Sequence, residues 1–300
     1  MTDLRTRLGP VDLRSPLIAA SGTVGAVVDL AGIVPFEFYG AAVAKSVSGE
    51  AWQGLPPPRL APTGTGMLNA VGVQNPGIEA WVERYGPHIR GAGVPVWGSV
   101  IGTTVDEFSM VAKGLATVEV QAIELNLSCP NLETGVPFAL QEDRAAEVVA
   151  AVRSTVDLPL GAKLSPNASD VVAVAAAVAD AGADWVVLTN TVWGAAFDYK
   201  TRRPLLSTTV GGYSGPPLKP IALRCVYEVS RALPDLPIVG CGGVRSWEDA
   251  AEYMVAGAAA VAVGTAHFEN PKIGRGIVRG LMSYCRRQGL STLSDLGVSA

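Results

Sequence analysis

Charged residues are scarce in this chain. Asp, Glu, Lys and Arg make up 17% of its 300 residues and hydrophobic residues 49%, whereas an average soluble protein is roughly 25% charged. That balance excludes a disordered chain and a coiled coil, and it leaves enough apolar material for a large buried core. The basic side is thin too. With 23 Lys and Arg against 27 Asp and Glu the net charge is −4, and no basic run exceeds Arg202-Arg203 or Arg286-Arg287, so the electrostatic footprint of a nucleic-acid binder is missing. No apolar stretch reaches the roughly 18 residues needed to span a bilayer, because runs such as 254–268 are broken by Gly and flanked by polar residues. The opening MTDLRTRLGP lacks the apolar core of a signal peptide, and the expected compartment is the cytoplasm. Cysteine is sparse as well: Cys129, Cys225, Cys241 and Cys285 form no CxxC pair, which gives no zinc site, no local iron–sulphur cluster and no disulfide framework. A GxGxxG fingerprint is absent. Residues 240–245 read GCGGVR, and Gly64-Thr65-Gly66 lacks its third Gly and follows no strand, so no nicotinamide dinucleotide fold is indicated within the chain. No metal is expected.

Glycine and proline, by contrast, are plentiful, at 34 and 21 residues, and they punctuate the chain into short elements. Eight short apolar runs read as buried strands: 16–20, 41–45, 95–100, 121–126, 158–163, 184–190, 236–241 and 259–263. They are continuous rather than alternating, the pattern of parallel strands covered on both faces, and each is expected to lead into a helical segment. The clearest helical spacing lies at 76–85, 104–116, 137–154, 169–182, 218–232, 247–256 and 271–288, with start signals at Ser246 and Ser169-Asp170. Eight strands alternating with helices over about 250 residues predict an α/β fold, a (β/α)8 TIM barrel with an N-terminal extension, as one domain over 1–300. Residues 46–78 and 191–217 are too long for ordinary connections and leave the C-terminal ends of strands, so they are expected to be functional loops over that face.

In such a barrel the active site lies where the strands end. The eight ends read Ser21-Gly22, Lys45-Ser46, Ser99, Asn126, Lys163, Asn190-Thr191, Gly242-Gly243 and Gly264-Thr265. A single Ser at such a place is more often a cap or turn residue, but two lysines at the ends of apolar strands are harder to explain that way. A lysine inside the barrel mouth must be paired or solvated, and two together form a cationic site for an anionic ligand or a reduced anionic cofactor. The glycines after the seventh and eighth strands, with Gly215, fall where these barrels commonly bind phosphate. Backbone N–H groups of a loop without side chains approach phosphate oxygens closely, although the same glycines also relieve crowding in tight turns.

The stretch NLSCPN at 126–131 carries the most information. A lone Cys is usually a small core residue, and that reading is kept for Cys225, Cys241 and Cys285. Cys129 sits just past a strand between hydrogen-bonding Ser and Asn, where a thiol with an ordinary pKa near 8.5 serves as a base or a nucleophile. Neither histidine, His88 or His267, is near it in sequence, so a Cys/His pair has weak support. Asn69 and Asn75 stand in the first insertion. The set Asn69, Asn126, Asn131 and Asn190 offers coplanar donors and acceptors suited to a flat heterocycle, although each alone is a common turn residue.

At these residues the sequence resembles the class 1 dihydroorotate dehydrogenases, flavin enzymes of pyrimidine biosynthesis. The resemblance runs through ASGTVG at 20–25, AKS at 44–46, MLNAVGVQNPG at 67–77, NLSCPN at 126–131, the Lys163 strand, NT at 190–191, TRRPLL at 201–206, GGYSGPPLKPIALR at 211–224, GCGGV at 240–244 and VGT at 263–265. It implies one FMN across the strand ends, with Gly215, Gly242, Gly243, Gly264 and Thr265 around its phosphate and ribityl chain. Ser21, Lys45, Ser46, Ser99, Asn126, Lys163 and Thr189 would face its ring. It implies dihydroorotate and its product orotate held by Lys45, Asn69, Ala70, Val71, Gly72, Val73, Asn126, Asn131, Asn190 and Thr191. Cys129 would remove the C5 proton while hydride leaves C6 for the flavin. The similar membrane-bound class 2 enzymes carry Ser in place of that Cys. The ASGT start and the NAVGVQNPG loop look like class 1B, whose catalytic subunit works with an FAD and [2Fe-2S] subunit that passes electrons to NAD, and a homodimeric core is implied with it. The chain departs from the family at Ser99, where an Asn usually touches the flavin, and at AAFD, 195–198, where the family is more aliphatic. Two neighbouring readings stay open here: a related flavin-dependent dihydropyrimidine oxidoreductase, and a fumarate-dependent class 1A enzyme.

Overall fold

The computed structural model describes residues 3–128 and 135–296. Its centre is a closed barrel of eight parallel strands: β1 (Leu17–Ala19), β2 (Ala41–Val43), β3 (Val96–Val100), β4 (Ala122–Asn126), β5 (Leu160–Lys163), β6 (Trp185–Leu188), β7 (Ile238–Cys241) and β8 (Ala260–Val263). Each pairs with the next and β8 pairs with β1, in the order the sequence predicts. The strands are buried along almost their whole length because helices cover the outside and side chains fill the inside, so every position along them favours an apolar residue.

Seven helices of eight or more residues pack outside, at Ile78–Tyr85, Val105–Leu115, Glu142–Arg153, Val171–Asp180, Lys219–Ala232, Trp247–Val255 and Ile273–Gln288. Three of the starts are set by side chains that satisfy the first free N–H groups. Thr104 accepts from the Glu107 N–H, Asp170 from that of Ala173, and Ser246 forms a reciprocal capping box with Asp249. Two expectations are corrected. No α-helix follows β1: Val28–Leu30 and Phe36–Phe38 are single 3-10 turns, in a stretch broken by Gly32 and Pro35. The helix expected over 137–154 begins only at Glu142, after a 3-10 turn at Phe138–Leu140.

The N-terminal extension is a hairpin, Thr6–Leu8 with Val11–Leu13. Its Leu8 and Leu13 share one buried cluster with Ile18, Ala41, Trp97, Trp185, Val239 and Ala260, closing the barrel floor. Trp97 and Trp185, with ring centroids 5.0 Å apart, are its largest members. Toward the strand ends the interior turns polar: Ser99, Glu124 and Lys163 are all buried.

The two long insertions are built structure rather than open loops. Val192–Gly194, Gly211–Ser214, Gly66–Asn69 and Leu60–Thr63 form, in that order, a four-stranded antiparallel sheet, with a small core of Ala61, Leu68, Ala70 and Leu206. The strands are only three or four residues long and carry Gly at Gly66, Gly194, Gly211 and Gly212, a composition that reads as loop. Among the described residues no helix is long and apolar enough to cross a membrane.

Gly161 on β5 leaves room for Trp185, since a Cβ there would collide with the indole ring. Gly161→Ala is therefore expected to destabilise the barrel by roughly 1–3 kcal/mol through overpacking. Urea unfolding followed by tryptophan fluorescence measures it, and a midpoint equal to that of the parent protein would contradict this packing.

Candidate active site

The strand ends and the four-stranded sheet enclose a cavity of about 1190 Å³. That is just past the upper end of the roughly 300–1,000 Å³ range of small-molecule pockets. Every barrel strand contributes to its wall: Ser21, Lys45 and Ser46, Ile101, Asn126, Lys163, Thr189 with Asn190 and Thr191, Cys241 with Gly242 and Gly243, and Gly264 with Thr265. The insertions add Asn69, Val71, Gly72, Val73 and Gly215. Two of the residues singled out in the sequence stand behind the wall rather than in it. Ala70 is buried in the small core of the sheet, and Ser99 is buried on β3, where its hydroxyl shares a hydrogen bond of 2.8 Å with that of Ser46. Cys129 and Asn131 lie outside the described residues, although Ser128, which precedes them, lines the cavity.

The polar side chains are linked to one another. Ser21 donates to the Ala44 carbonyl at 2.7 Å. The Asn126 amide donates to Ser46 Oγ at 3.2 Å, and the Asn190 amide donates to Asn126 Oδ1 at 3.1 Å and to Ser128 Oγ at 3.0 Å. Asn190 Oδ1 in turn accepts from the Thr191 N–H at 2.8 Å. This chain spans β2, β3, β4 and β6 and fixes which way both amides point before any ligand arrives, which reduces the ordering required on binding. Asn69 is held separately, its amide donating to the Gly212 carbonyl across the sheet at 3.1 Å. Asn75 is spent on the backbone, its Oδ1 accepting from the Ser48 and Gly77 N–H groups.

The two lysines differ. Burial draws the Lys45 pKa down to about 8, helped by the charge of Lys163, and no carboxylate pairs with it among the described residues. Burial also pulls on Lys163, but there the nearby carboxylate of Glu124 outweighs it and holds the ammonium above the ordinary lysine value. Glu124 lies 3.8 Å away, with only 4% of its side chain exposed. The sequence reading passed over Glu124. Its signal was an acid at the centre of the apolar strand Ala122–Asn126, on the same face as Asn126 by the two-residue period of a strand.

At the opposite end the wall is backbone. Gly215, Gly242 and Gly243 all adopt positive φ, and a Cβ on Gly243 would meet Lys219 Cβ at 2.8 Å and the Gly215 carbonyl at 3.0 Å. At Gly264 the nearest atom to such a Cβ is 3.8 Å away, so glycine there is not demanded by space. The N–H groups of Gly243, Val244 and Thr265 make no backbone hydrogen bond to the described residues and border the cavity. Thr265 donates its hydroxyl to Ser214 at 2.8 Å, which joins the β8 turn to the overlying sheet. Behind that turn His267 is buried between Thr23 and Tyr39, and burial lowers its pKa to about 4, so it is a neutral structural group at pH 7. Neither histidine lines the cavity.

A family model described as "Dihydroorotate dehydrogenase" matches residues 3–284. The "Dihydroorotate dehydrogenase B (NAD(+)), catalytic subunit" of Alkaliphilus metalliredigens (strain QYMF) is 39% identical over 295 residues, covering 98% of this chain and 97% of that protein. Proteins of the same description from Geotalea daltonii and Pelobacter propionicus are each 42% identical over 296 residues, with the same coverage.

Lys45 makes anion binding depend on pH in a definite direction. A bound carboxylate stabilises the ammonium form, so affinity should be constant below pH 8 and fall above it, by up to about tenfold per pH unit. Calorimetric titration with an aromatic monocarboxylate from pH 6.5 to 9.5 reads this, and Lys45→Met should weaken binding and flatten the profile. A parent profile that stays flat to pH 9.5 would remove Lys45 as the anion's partner.

Proposed function

This chain belongs to the dihydroorotate dehydrogenase family, and from that premise we propose that its barrel mouth holds one FMN and, against it, dihydroorotate. As a family member it is an oxidoreductase of pyrimidine biosynthesis, converting dihydroorotate to orotate. The observation that carries the site assignment is the division of one cavity into two chemistries. Its Gly215, Gly242–Gly243 and Gly264–Thr265 end offers free backbone N–H groups, and its other end offers two lysines and a fixed array of amides. The first suits a phosphate. The second suits a planar ring system whose charge changes and a substrate bearing a carboxylate.

The residues fit the cofactor. Gly242 and Gly243 line the cavity with backbone alone, at positive φ, and Ser21, Ser46, Asn126, Lys163 and Thr189 present polar groups along the strand ends. Ser99 acts through Ser46 rather than by contact. When bound, FMN supplies the acceptor for a hydride. Lys163 holds positive charge at the cavity floor where reduction adds negative charge. Lys45 neutralises the substrate carboxylate, while Asn69, Asn126, Asn190 and Thr191, together with Asn131, orient the heterocycle through its carbonyl and N–H edges. Val71, Gly72 and Val73 flank it. Cys129 takes the C5 proton from the face of the substrate opposite the hydride acceptor, so base and cofactor must enclose the ring between them.

Electrons must then leave. The relatives' description as a catalytic subunit supports a separate electron-transfer subunit as partner. In this reading that partner carries an FAD and a [2Fe-2S] cluster and delivers electrons to NAD in the cytoplasm, in keeping with a sequence that has neither CxxC nor GxGxxG. Two copies of this chain form the core of the assembly.

Reconstitution with FMN followed by anaerobic mixing with substrate tests this. Dihydroorotate should bleach the bound flavin and dihydrouracil, which lacks the carboxylate, should not. Cys129→Ala should retain FMN and reduce it more slowly by about 10²–10⁴-fold, and the parent rate should climb toward the thiol pKa, near 8.5. Failure to bind FMN, or rapid reduction in the Cys129→Ala protein, would refute the assignment.

A further inference from the structure

Behind the cavity wall, beside Lys163, stands a group that the proposed reaction does not use. Glu124 is 3% exposed, on β4, and its Oε1 atom is buried without a hydrogen-bond partner. A buried carboxylate left unsatisfied is costly, by several kcal/mol in general, and it persists where a charge nearby offsets it. The charge in question is the Lys163 ammonium on the neighbouring strand, at 3.8 Å, beyond hydrogen-bond reach. The lysine is thus held by charge alone and its donors stay free for the cavity it lines. We propose that Glu124 is a positioning residue for Lys163, its buried carboxylate holding that ammonium charged at the floor of the cofactor site.

The two lysines of the same cavity act as a natural comparison. Lys45 has no carboxylate beside it among the described residues, and burial depresses it to about 8. Lys163 is the more deeply buried of the two in the exposure of its residue yet is driven the other way. The ionisable groups acting on it are Glu124 from β4, Lys45 from β2 and Cys241 from β7. Lys45 has the wrong sign to explain the difference. Burial pushes both acids up: Cys241, which starts above 7, is an uncharged thiol at pH 7 and contributes little, whereas the rise at Glu124, which starts far lower, is opposed by the Lys163 charge 3.8 Å away. The remaining carboxylate on the cavity wall, Glu269, lies at the rim, 71% exposed and paired with Arg245. Glu124 is left as the counter-ion, since the strand-register neighbours of the pair, Ser99 and Gly161 beside Glu124 and Asn126 and Val187 beside Lys163, carry no charge.

What the charge is for rests on the FMN reading above, but the test does not need the cofactor. Flavin-free protein is treated at pH 8 with trace formaldehyde and cyanoborohydride, and methylation of each lysine is quantified by peptide mass spectrometry against exposed Lys113. Only the neutral amine reacts, so in the parent protein Lys45 should label at least about tenfold faster than Lys163. Glu124→Gln, close to isosteric, should raise the Lys163 rate about tenfold, and Glu124→Asp, which restores a carboxylate, should return it to within about twofold of the parent. A purely structural Glu124 would move none of these ratios. An unchanged Lys163 rate in Glu124→Gln overturns the proposal. Equal labelling of Lys45 and Lys163 in the parent overturns it as well, and that comparison stands even if the variant fails to fold. A protein that bound no FMN would sink the reading of the preceding section and leave this result intact.

Discussion

Two ammonium groups and one carboxylate are brought together in the low-dielectric mouth of a barrel, and most of the site's properties follow from that imbalance. Unit charges a few ångströms apart interact by several kcal/mol at the effective dielectric of a protein, so Lys45 and Lys163 cannot both be comfortable without negative charge. Glu124 answers for one. The other is an ammonium without a carboxylate beside it, its pKa drawn down to about 8, and an entering anion relieves it. The cavity therefore favours anionic ligands, which is the chemistry on which the proposed site rests.

The scaffold makes the imbalance tolerable by keeping everything around it rigid and accounted for. Below, Trp97 and Trp185 and the leucines of the N-terminal hairpin close the barrel with apolar volume. At the level of the charges, Ser46, Ser99, Asn126 and Asn190 exchange hydrogen bonds among themselves, so no amide has to be reoriented when a ligand binds. Above, the antiparallel sheet from the two insertions is tied to the barrel through Thr265 and Ser214 and supplies part of the cavity wall through Met67, Asn69 and Ser214.

The barrel was legible in the sequence because a strand covered on both faces leaves a mark that needs no partner to be read: a continuous apolar run such as Trp185–Leu188, bounded by turn residues. The capped helix starts at Asp170 and Ser246 are equally local. The sheet over the mouth was not legible, since strands such as Gly211–Ser214 owe their conformation to pairing with residues far away, Asn69 and Leu68 among them, and their own glycines argue for loop. In the site, lysines at strand ends announced themselves by being out of place. Glu124 did so only within its strand, and its meaning depends on Lys163 lying on the next strand, a relation the barrel creates. Ser99 illustrates the opposite limit: its position at a strand end was evident, but whether it faces a ligand or another hydroxyl is decided by side-chain packing.

The central claim, that Lys163 supplies the charge against which a flavin is reduced, is tested most directly by the two-electron midpoint potential of bound FMN in the parent protein and in Lys163→Met. Lys163→Met should lower it by about 30 mV or more, equivalent to roughly 1.4 kcal/mol for a two-electron couple. An unchanged potential at full FMN occupancy would contradict it.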